Sequence, residues 1–481
     1  MNSGQSLIVE LLVTPPNGGC PVTAMMIQVP PHCKHFAAAL VEAVEVVARL
    51  AKVGRRAPDM LQAESGIAAA IAKVECGAMA DVLTSLDADG DDVTFDGKRW
   101  HSLGVMPTTY FTQAGPTTVE LKLFRESGVH SGPTLDVVAL RAGLVGDWTP
   151  AAAKAMAHLL QQGTGREAET TAQEVGRLPY SRWSFERVGH EVGRLYIERR
   201  AEIDQRLTVA AAVPDDACSV SIALDRVAVP MEELEIDGGE DGKDRLTRVW
   251  HMAHVGTVTL HDADGWAIAT TRYACMPGGD IDELDRALQG DLVHLLTRRR
   301  GLRVVTLGDG AAEIRSRLDA IVDGVAKSAW DLVDYWHVAE KLALAAQAFT
   351  KGTNCKEIAA RWKGWLLSLD DAPSRMREEL SAHAGHKVVD ETLTYLDDHG
   401  HQMDYAAARR EGLPIGSGNV EASCKSVVRM RMVRGGARWK HEPGDRVLHL
   451  RALAQSDRWN DGIAETLRPL ERTIRVASVA S

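Results

Sequence analysis

The sequence predicts an α/β protein built on a mixed sheet, and three acidic residues at the ends of predicted elements lead to this view. Residues 304–307 are apolar and β-branched, as in a buried strand, and Asp309 follows just before a helical pattern. An earlier strand pattern at 218–224 ends on Asp225, and Glu421 lies near the start of a later helix. Because ligands of open α/β sheets bind at the carboxyl ends of strands, these acids are the first candidates for a functional site.

The composition is that of a globular protein with several domains. A chain of 481 residues is too long for one ordinary core, so about two to four domains are expected. The net charge of −11 argues against non-specific coating of nucleic acid, and much of the acid is concentrated at 231–244. No apolar run reaches the ~18–20 residues of a membrane span. The seven cysteines are scattered without a Cys-x-x-Cys pair, which indicates reduced thiols in a cytoplasmic protein and argues against zinc.

The first 212 residues are predicted to form two regions. Residues 1–145 read as a small α+β module of unassigned role, and its helical and hairpin patterns lie at 36–52, 60–72, 77–86 and 92–126. Residues 146–212 are helical, and Thr149-Pro150 has the form of an N-cap followed by proline at the first helical position. The three helices predicted here, 150–162, 166–175 and 181–199, suit a helix-turn-helix DNA-binding unit. A generic helical linker bundle is the alternative.

The region from 213 onward carries the predicted mixed sheet. Strand and helix patterns alternate as β-β-β-α-β-α-β and lie at 218–224, 247–260, 264–274, 280–299, 302–307, 311–323 and 329–333. Three antiparallel strands followed by parallel ones with crossover helices fit an RNase H-like catalytic core. The almost wholly helical stretch 338–412 would be an insertion that divides this core into 213–337 and 413–481.

The three acids Asp225, Asp309 and Glu421 are predicted to bind divalent metal ions. Two metals ~3.5–4 Å apart can activate an attacking oxygen and stabilise the leaving one in phosphoryl transfer. Hard cations of this kind prefer oxygen ligands, so Mg²⁺ is expected, and Mn²⁺ could replace it. The alternative is three unrelated surface acids, since the chain has 66 Asp and Glu residues.

A basic segment follows Glu421 and is predicted to contact double-stranded DNA. It has no acid in sixteen residues, and the side chains assigned to DNA are Lys425, Arg429, Arg431, Arg434, Arg438, Trp439 and Lys440. Clustered Arg and Lys form the electrostatic footprint of a phosphate backbone. A solvated helix face is the alternative, although such faces usually mix the two signs of charge.

Asp334 and His337 are the last candidates, because a spacing of three residues puts two side chains on one helical turn. His337 could contact a scissile phosphate or hold a neighbouring acid, with Asp334 in support. A capping aspartate and a satisfied histidine are the plainer alternative.

Four ordered motifs over about 215–460 resemble the bacterial DDE transposases of the ISKra4 insertion-sequence family. The motifs are Leu307-Gly308-Asp309-Gly310-Ala311, Asp334-Tyr335-Trp336-His337, Gly416-Ser417-Gly418-Asn419-Val420-Glu421, and Gly436-Ala437-Arg438-Trp439 followed by Leu450-Arg451-Ala452-Leu453. A weaker likeness covers 145–200, where Trp148-Thr149-Pro150 matches the start of that family's helix-turn-helix region.

The resemblance implies an insertion-sequence transposase that cleaves DNA and transfers strands. It implies that Asp225, Asp309 and Glu421 are the catalytic DDE triad, and that Asp334 and His337 match an Asp-x-x-His element beside it. It also implies a homodimer or larger assembly on terminal inverted repeats and target DNA, associated with the bacterial nucleoid.

The sequence also departs from this family. Arg226 follows Asp225 where relatives tend to have glycine, Glu313 and Ile314 occupy a stretch that often holds a tryptophan, and the zinc-knuckle cysteine pairs are absent. These departures keep two alternatives open. One is a transposase-derived DNA-binding protein without strand transfer, and the other is a stand-alone nuclease on the same core.

Overall fold

The computed structural model describes residues 7–12, 24–51, 59–235 and 245–476. The chain forms two compact units: one holds Met1–Leu195 and Ile463–Ser481, and the other holds Tyr196–Gly462. The boundaries predicted from motif order, after residues 145, 212, 337 and 412, divide the chain differently and stay predictions.

The first unit is an α+β structure around a five-stranded antiparallel sheet. Its elements are β1 (Leu7–Leu12), β2 (Ala24–Val29), α1 (Lys34–Ala51), α2 (Met60–Ser85), β3 (Asp92–Phe95), β4 (Lys98–Phe111), β5 (Pro116–Glu126), β6 (Thr134–Asp136), α3 (Val137–Arg141), α4 (Pro150–Gln162), α5 (Gly165–Glu174), α6 (Arg182–Glu198, which crosses the boundary) and β12 (Arg475–Val476). The sheet order is β12-β3-β4-β5-β6, and β1 pairs with β2 separately. Tyr110, Leu121 and Phe124 are fully buried in this unit.

Helix α2 corrects the prediction of two separate helices at 60–72 and 77–86. The helix is continuous through Gly77, and a Cβ at this position would lie 2.6 Å from the carbonyl oxygen of His35. The glycine therefore permits close packing between α2 and the start of α1 and does not interrupt the helix.

The three helices predicted ahead of the mixed sheet are present as α4, α5 and α6. Pro150 occupies the first turn of α4, and Thr164 and Glu167 form a reciprocal capping box that starts α5. The DNA-binding role of this region stays a prediction.

The second unit contains the predicted mixed sheet. Its elements up to the last strand are α7 (Arg200–Ala210), β7 (Ser219–Glu235), β8 (Arg245–His261), β9 (Ala267–Cys275), α8 (Ile281–Arg298), β10 (Arg303–Gly308), α9 (Ala312–Val322) and β11 (Ala329–Val333). The sheet order is β11-β10-β7-β8-β9; β7, β8 and β9 are antiparallel neighbours, while β10 runs parallel to both β7 and β11. Leu224 and Val304 from the sheet and Leu288 from α8 share one buried cluster.

The prediction that β7 ends at Asp225 is wrong. The strand continues to Glu235, and β7 and β8 pair over their whole lengths. The reason is visible in the burial of Val227, Val229 and Met231, because this alternation extends the strand pattern past the acid. Most of the acidic stretch 231–244 lies outside the described residues.

The predicted helical insertion follows β11. It consists of α10 (Tyr335–Phe349), α11 (Thr353–Ser368), α12 (Ala372–Ser381), α13 (Lys387–His399) and α14 (Tyr405–Arg410). Trp362, Leu366, Met376 and Leu380 are fully buried here, which gives the insertion apolar packing of its own.

The chain then returns to the sheet through a helix with an irregular middle. Its elements are α15 (Gly418–Ser423), a π-helical segment at Cys424–Arg429, α16 (Met430–Met432), α17 (His441–Gln455) and α18 (Trp459–Leu467, which crosses the boundary). π-Helical turns widen the spacing between successive side chains and are frequent at functional sites. Among the described residues, no helix combines the length and apolar character needed to cross a membrane.

The packing of α8 on the sheet gives a direct stability test. Leu288 is fully buried, so Leu288→Ala is expected to lower the free energy of unfolding by about 2–5 kcal/mol. Leu344→Ala is the matched control, because Leu344 is 51% exposed and its truncation should cost about 0.5 kcal/mol or less. Urea denaturation followed by circular dichroism measures both. Equal losses for the two variants would contradict the assignment of Leu288 to the core.

Candidate metal centre

Three aspartates follow the same edge of the mixed sheet. Leu307 pairs with Ala223 of β7, and Gly308 pairs with Val333 of β11. Continuing this register brings Asp309 level with Asp225 on one side and with Asp334 on the other. The backbone amide of Asp334 donates to the carbonyl of Gly308 at 2.8 Å, which extends the ladder to this level. Neighbouring strands lie about 4.8 Å apart, so the three backbones form a row where the parallel pairing of β10 with β7 and β11 stops.

Asp334 is a fully buried cap at the start of α10. Its Oδ1 accepts the backbone amide of His337 at 2.8 Å, and its Oδ2 accepts the backbone amide of Ser417. The plainer alternative from the sequence, a capping aspartate, is therefore what the structure contains. The same carboxylate also ties α10 to the segment that leads to Glu421.

Asp334, His337 and Glu421 form the one group of potential metal ligands found among the described residues. One ligand atom from each lies within 4.8 Å of the others. His337 Nδ1 is 3.8 Å from Glu421 Oε1. The helix dipole and the cap fix where α10 begins, and this places His337 in the first turn, opposite α15.

Glu421 lies in a strongly negative environment. Desolvation raises its pKa above the ordinary value, and the charges of Asp334 and Asp225 raise it further, while His337 acts in the opposite direction. Negative groups that crowd together in this way favour either a proton or a bound cation. The arrangement therefore suits a divalent ion.

Asp225 contacts the helix that carries Glu421 through a hydrogen bond with Cys424. The thiol Sγ lies 3.4 Å from Asp225 Oδ2, and Cys424 is 6% exposed. Burial raises the pKa of this thiol well above its usual range, so the thiol keeps its proton and donates to the carboxylate. Glu421 and Cys424 are one turn apart, and both face the level of Asp225.

Asp309 is held by the loop that follows β10. Its Oδ1 accepts the backbone amide of Ala311 at 2.8 Å, and its carbonyl oxygen accepts the hydroxyl of Tyr395 at 3.3 Å. Asp309 does not belong to the close group of three ligands. Asp225 also lies outside the close group of Asp334, His337 and Glu421; it contacts the helix of Glu421 through Cys424, and strand register sets Asp309 beside it.

The donor set fits magnesium or manganese chemistry. It consists of carboxylate oxygens and one imidazole nitrogen, and hard divalent cations select oxygen ligands. Because the Cys424 thiol is protonated and hydrogen bonded, it does not add a sulfur ligand. Asp225, Asp309 and Glu421 stay the predicted metal ligands.

Arg226 and Glu313 contact each other beside this site. Arg226 Nη1 donates to Glu313 Oε2 at 2.7 Å. His254 Nε2 lies 3.8 Å from the same carboxylate. Because successive side chains of a strand point to opposite faces, this guanidinium lies on the other face of β7 from the neighbouring Asp225.

The basic segment after Glu421 is divided between exposed and packed residues. Lys425, Arg429, Arg438 and Lys440 are exposed, and Arg434 is half-buried. Of these, Lys440 lies 3.9 Å from Glu232. Four cations therefore face solvent on this segment, consistent with the kind of surface predicted from the sequence.

Arg431 and Trp439 correct the prediction that the whole segment is a contact surface. Arg431 is 5% exposed, and its guanidinium carbon lies 4.8 Å from the centre of the Trp439 ring. The indole nitrogen of Trp439 donates to the carbonyl of Met432, and its backbone bonds to Pro230 and Glu232 of β7. Arg431 and the half-buried Trp439 thus stack on each other, and the Trp439 backbone ties this segment to β7.

Cys424 and Tyr395 are site neighbours that the sequence analysis missed. The position of Cys424, three residues after Glu421, signals a shared helix face and could have identified it. Tyr395 carries no such signal, since its contact with Asp309 spans 86 residues of sequence.

Comparison with known proteins does not assign this site to a family. No family model matches the chain, and no curated protein matches it. A solved structure described as a Drosophila P element transposase strand transfer complex matches with 12% identity, over 72% of this chain and 86% of that chain, at a TM-score of 0.23. A TM-score this low does not establish a shared fold.

The loop that holds Asp309 predicts that adding one methyl group at Gly310 lowers the free energy of unfolding by an unusual amount. Gly310 has φ +88°, and a Cβ there would lie 3.0 Å from the Tyr395 hydroxyl and 3.3 Å from the His399 ring. Gly310→Ala should therefore cost about 2–5 kcal/mol, from backbone strain and from the collision. Thermal unfolding with calorimetry measures the change.

Gly278 provides the control for Gly310. It has φ +82° with nothing within 4 Å of an added Cβ, so Gly278→Ala should cost only the backbone strain of about 1–2 kcal/mol. If Gly310→Ala were no more damaging than Gly278→Ala, the close approach of Tyr395 and His399 would be disproved.

Proposed function

We propose that the second unit is the RNase H-like catalytic core of a DDE transposase, which cleaves DNA and transfers strands of an insertion sequence with divalent metal ions. The observation that carries the proposal is the register that, continued past Gly308 of β10, brings Asp309 level with Asp225 of β7, together with the grouping of Glu421, His337 and Asp334. The metal is Mg²⁺, with Mn²⁺ as a substitute.

The fold supports the proposal through its strand order. Three antiparallel strands lie beside two parallel strands in the order β11-β10-β7-β8-β9, and α8 and α9 make the crossovers. Open sheets of this kind bind their ligands at the carboxyl edge. The candidate residues lie at that edge, and the helical insertion enters directly after β11.

Each residue has a defined part in this reaction. Asp225, Asp309 and Glu421 bind the cations, and His337 orients Glu421 and approaches the scissile phosphate. Asp334 positions both by capping α10 and binding the Ser417 amide. Divalent cations at such a site lower the pKa of the attacking water and offset charge on the phosphate. Attack by water would break the P–O3′ bond and leave a 3′-hydroxyl and a 5′-phosphate. The 3′-hydroxyl would then attack a phosphodiester of the target, forming a new P–O bond and releasing the 3′-hydroxyl of the target strand.

The exposed cations support double-stranded DNA as the partner. Lys425, Arg429, Arg438 and Lys440 follow Glu421 directly in the chain. They would contact phosphates of the terminal inverted repeat or the target, and the helices α4, α5 and α6 would contribute sequence recognition. Because two transposon ends must be held together, the working form is a homodimer or larger.

A second candidate function is DNA binding without strand transfer. It is favoured by the position of Asp309 outside the close ligand group and by the replacement of the expected glycine with Arg226. Such a protein would bind DNA and lack metal-dependent cleavage. Measuring cleavage and metal binding separately distinguishes the two functions.

The raised pKa of Glu421 predicts a pH dependence of metal binding. A cation binds the carboxylate form, and a raised pKa leaves more of the protonated form at a given pH. Binding of Mn²⁺ should therefore strengthen with rising pH and weaken, on acidification, at a higher pH than an ordinary glutamate would give. Isothermal titration calorimetry across a pH series tests this.

Glu421→Gln should weaken Mn²⁺ binding at least about tenfold and remove most of its pH dependence. Glu357→Gln, which changes an exposed acid of the insertion, is the control and should bind as the unaltered protein does. Retention of full, pH-dependent binding in Glu421→Gln would exclude this residue as a ligand.

Cleavage of DNA tests the proposed chemistry directly. With Mg²⁺ or Mn²⁺ and DNA carrying the element's ends, the protein should nick a strand and join it to target DNA. Asp309→Asn should reduce nicking by at least about a hundredfold, because it removes a metal-binding charge. Asp264→Asn is the control, since this exposed acid lies in the turn between β8 and β9, level with the start of β7.

Denaturing gels of end-labelled DNA report both steps. Undiminished nicking by Asp309→Asn would refute the assigned chemistry. Nicking without joining would favour a nuclease, and DNA binding without nicking would favour the second candidate function.

A further inference from the structure

An exposed tryptophan lies beside the candidate metal centre. Trp336 is 62% exposed and precedes His337 in the first turn of α10. Tryptophan is enriched at binding interfaces, because its ring offers a large apolar face together with a polar N–H. The part of the chain that the structure describes has several exposed tryptophans, but Trp336 is the one adjacent to a proposed ligand.

The indole of Trp336 is supported from behind. A Cβ at Gly416 would lie 3.1 Å from its Cδ1 and 3.2 Å from its Nε1, so the ring lies directly against the backbone there. The ring also meets Tyr335 edge to face, with centroids 5.1 Å apart. Gly416 leads to Ser417, whose amide binds Asp334. The ring is therefore held by the same elements that carry His337 and Glu421.

We propose that Trp336 is a stacking platform for an unpaired base of the DNA strand whose phosphate lies at the candidate metal centre. The inference rests on the proposed function, because it takes DNA as the substrate there. Aromatic side chains bind single-stranded nucleic acid by stacking on successive bases. A base within a duplex already stacks on both sides, so the platform selects a frayed, flipped or single-stranded base.

The basic residues that follow Glu421 favour nucleic acid over a protein partner. Lys425 and Arg429 are exposed and follow Glu421 on the next turns of the same irregular helix. They would bind the phosphates while Trp336 binds the base. An aromatic platform beside basic side chains is the combination that single-strand binding uses.

Fluorescence anisotropy with labelled oligonucleotides tests the proposal, with EDTA present to prevent cleavage. One probe is a blunt duplex and the other carries a short single-stranded extension at one end. Trp336→Ala should weaken binding of the extended probe by about 5- to 150-fold and leave binding of the blunt duplex nearly unchanged. Trp336→Phe should retain most of the preference, because it keeps an aromatic face.

Trp266→Ala is the matched control. Trp266 is 74% exposed and lies in the β8–β9 turn, where neighbouring His261 pairs with Ser219, the first residue of β7, six residues before Asp225. This variant should bind both probes as the unaltered protein does. 2-Aminopurine in the extension gives a second readout, since stacking on Trp336 should quench its fluorescence.

The proposal is overturned if Trp336→Ala binds both probes normally or loses affinity for both equally. It is also overturned if this variant changes the sedimentation of the protein without DNA, which would make the tryptophan an interface between copies. Because the assay contains no metal, a selective loss for the extended probe supports the stacking site even when cleavage by the unaltered protein fails.

Discussion

The buried carboxylate of Asp334 is the contact on which the site geometry depends. It lies at the end of β11, caps α10 and accepts the amide of Ser417, so one side chain joins three segments that are distant in sequence. A buried charge is tolerated when hydrogen bonds satisfy it, and removing its partners leaves it uncompensated. This requirement fixes His337 and the approach of Glu421 relative to the sheet. The acidic residues lie close together because these hydrogen bonds fix the backbone segments that carry them.

The helical insertion supports the same sheet edge from the other side. Tyr395 donates to the carbonyl of Asp309, Tyr405 donates to the carbonyl of Val333, and Gln402 donates to Asp331. Each bond reaches the end of β10 or the strand β11, where the ladder stops and carbonyl groups would otherwise need water. The insertion therefore holds the loop that carries Asp309, and its helices are part of the site's framework.

Sequence reasoning predicted the order of strands and helices because hydrophobic alternation and strand-end acids are local signals. It stopped β7 at Asp225, since a charged residue within a strand looks like an end, and only the burial of Val227 and Val229 shows otherwise. It also treated the basic segment as one exposed surface. The π-helical turn is decided by packing on the sheet, so the burial of Arg431 could not be read from the chain.

The pairing of Arg226 with Glu313 bears on whether the site can hold cations. A guanidinium next to Asp225 would compete for the carboxylate and lower its value as a ligand. Here the Arg226 guanidinium bonds to Glu313, on the opposite face of β7 from Asp225, and Asp225 accepts the backbone amide of Arg226 and the neutral thiol of Cys424. A partly exposed ion pair of this kind adds little stability. Its main effect is to hold the Arg226 guanidinium at Glu313. Because the groups that bond to the Asp225 carboxylate are neutral, the negative charge between Asp225 and Glu421 is preserved, which is the electrostatic condition that a divalent cation requires.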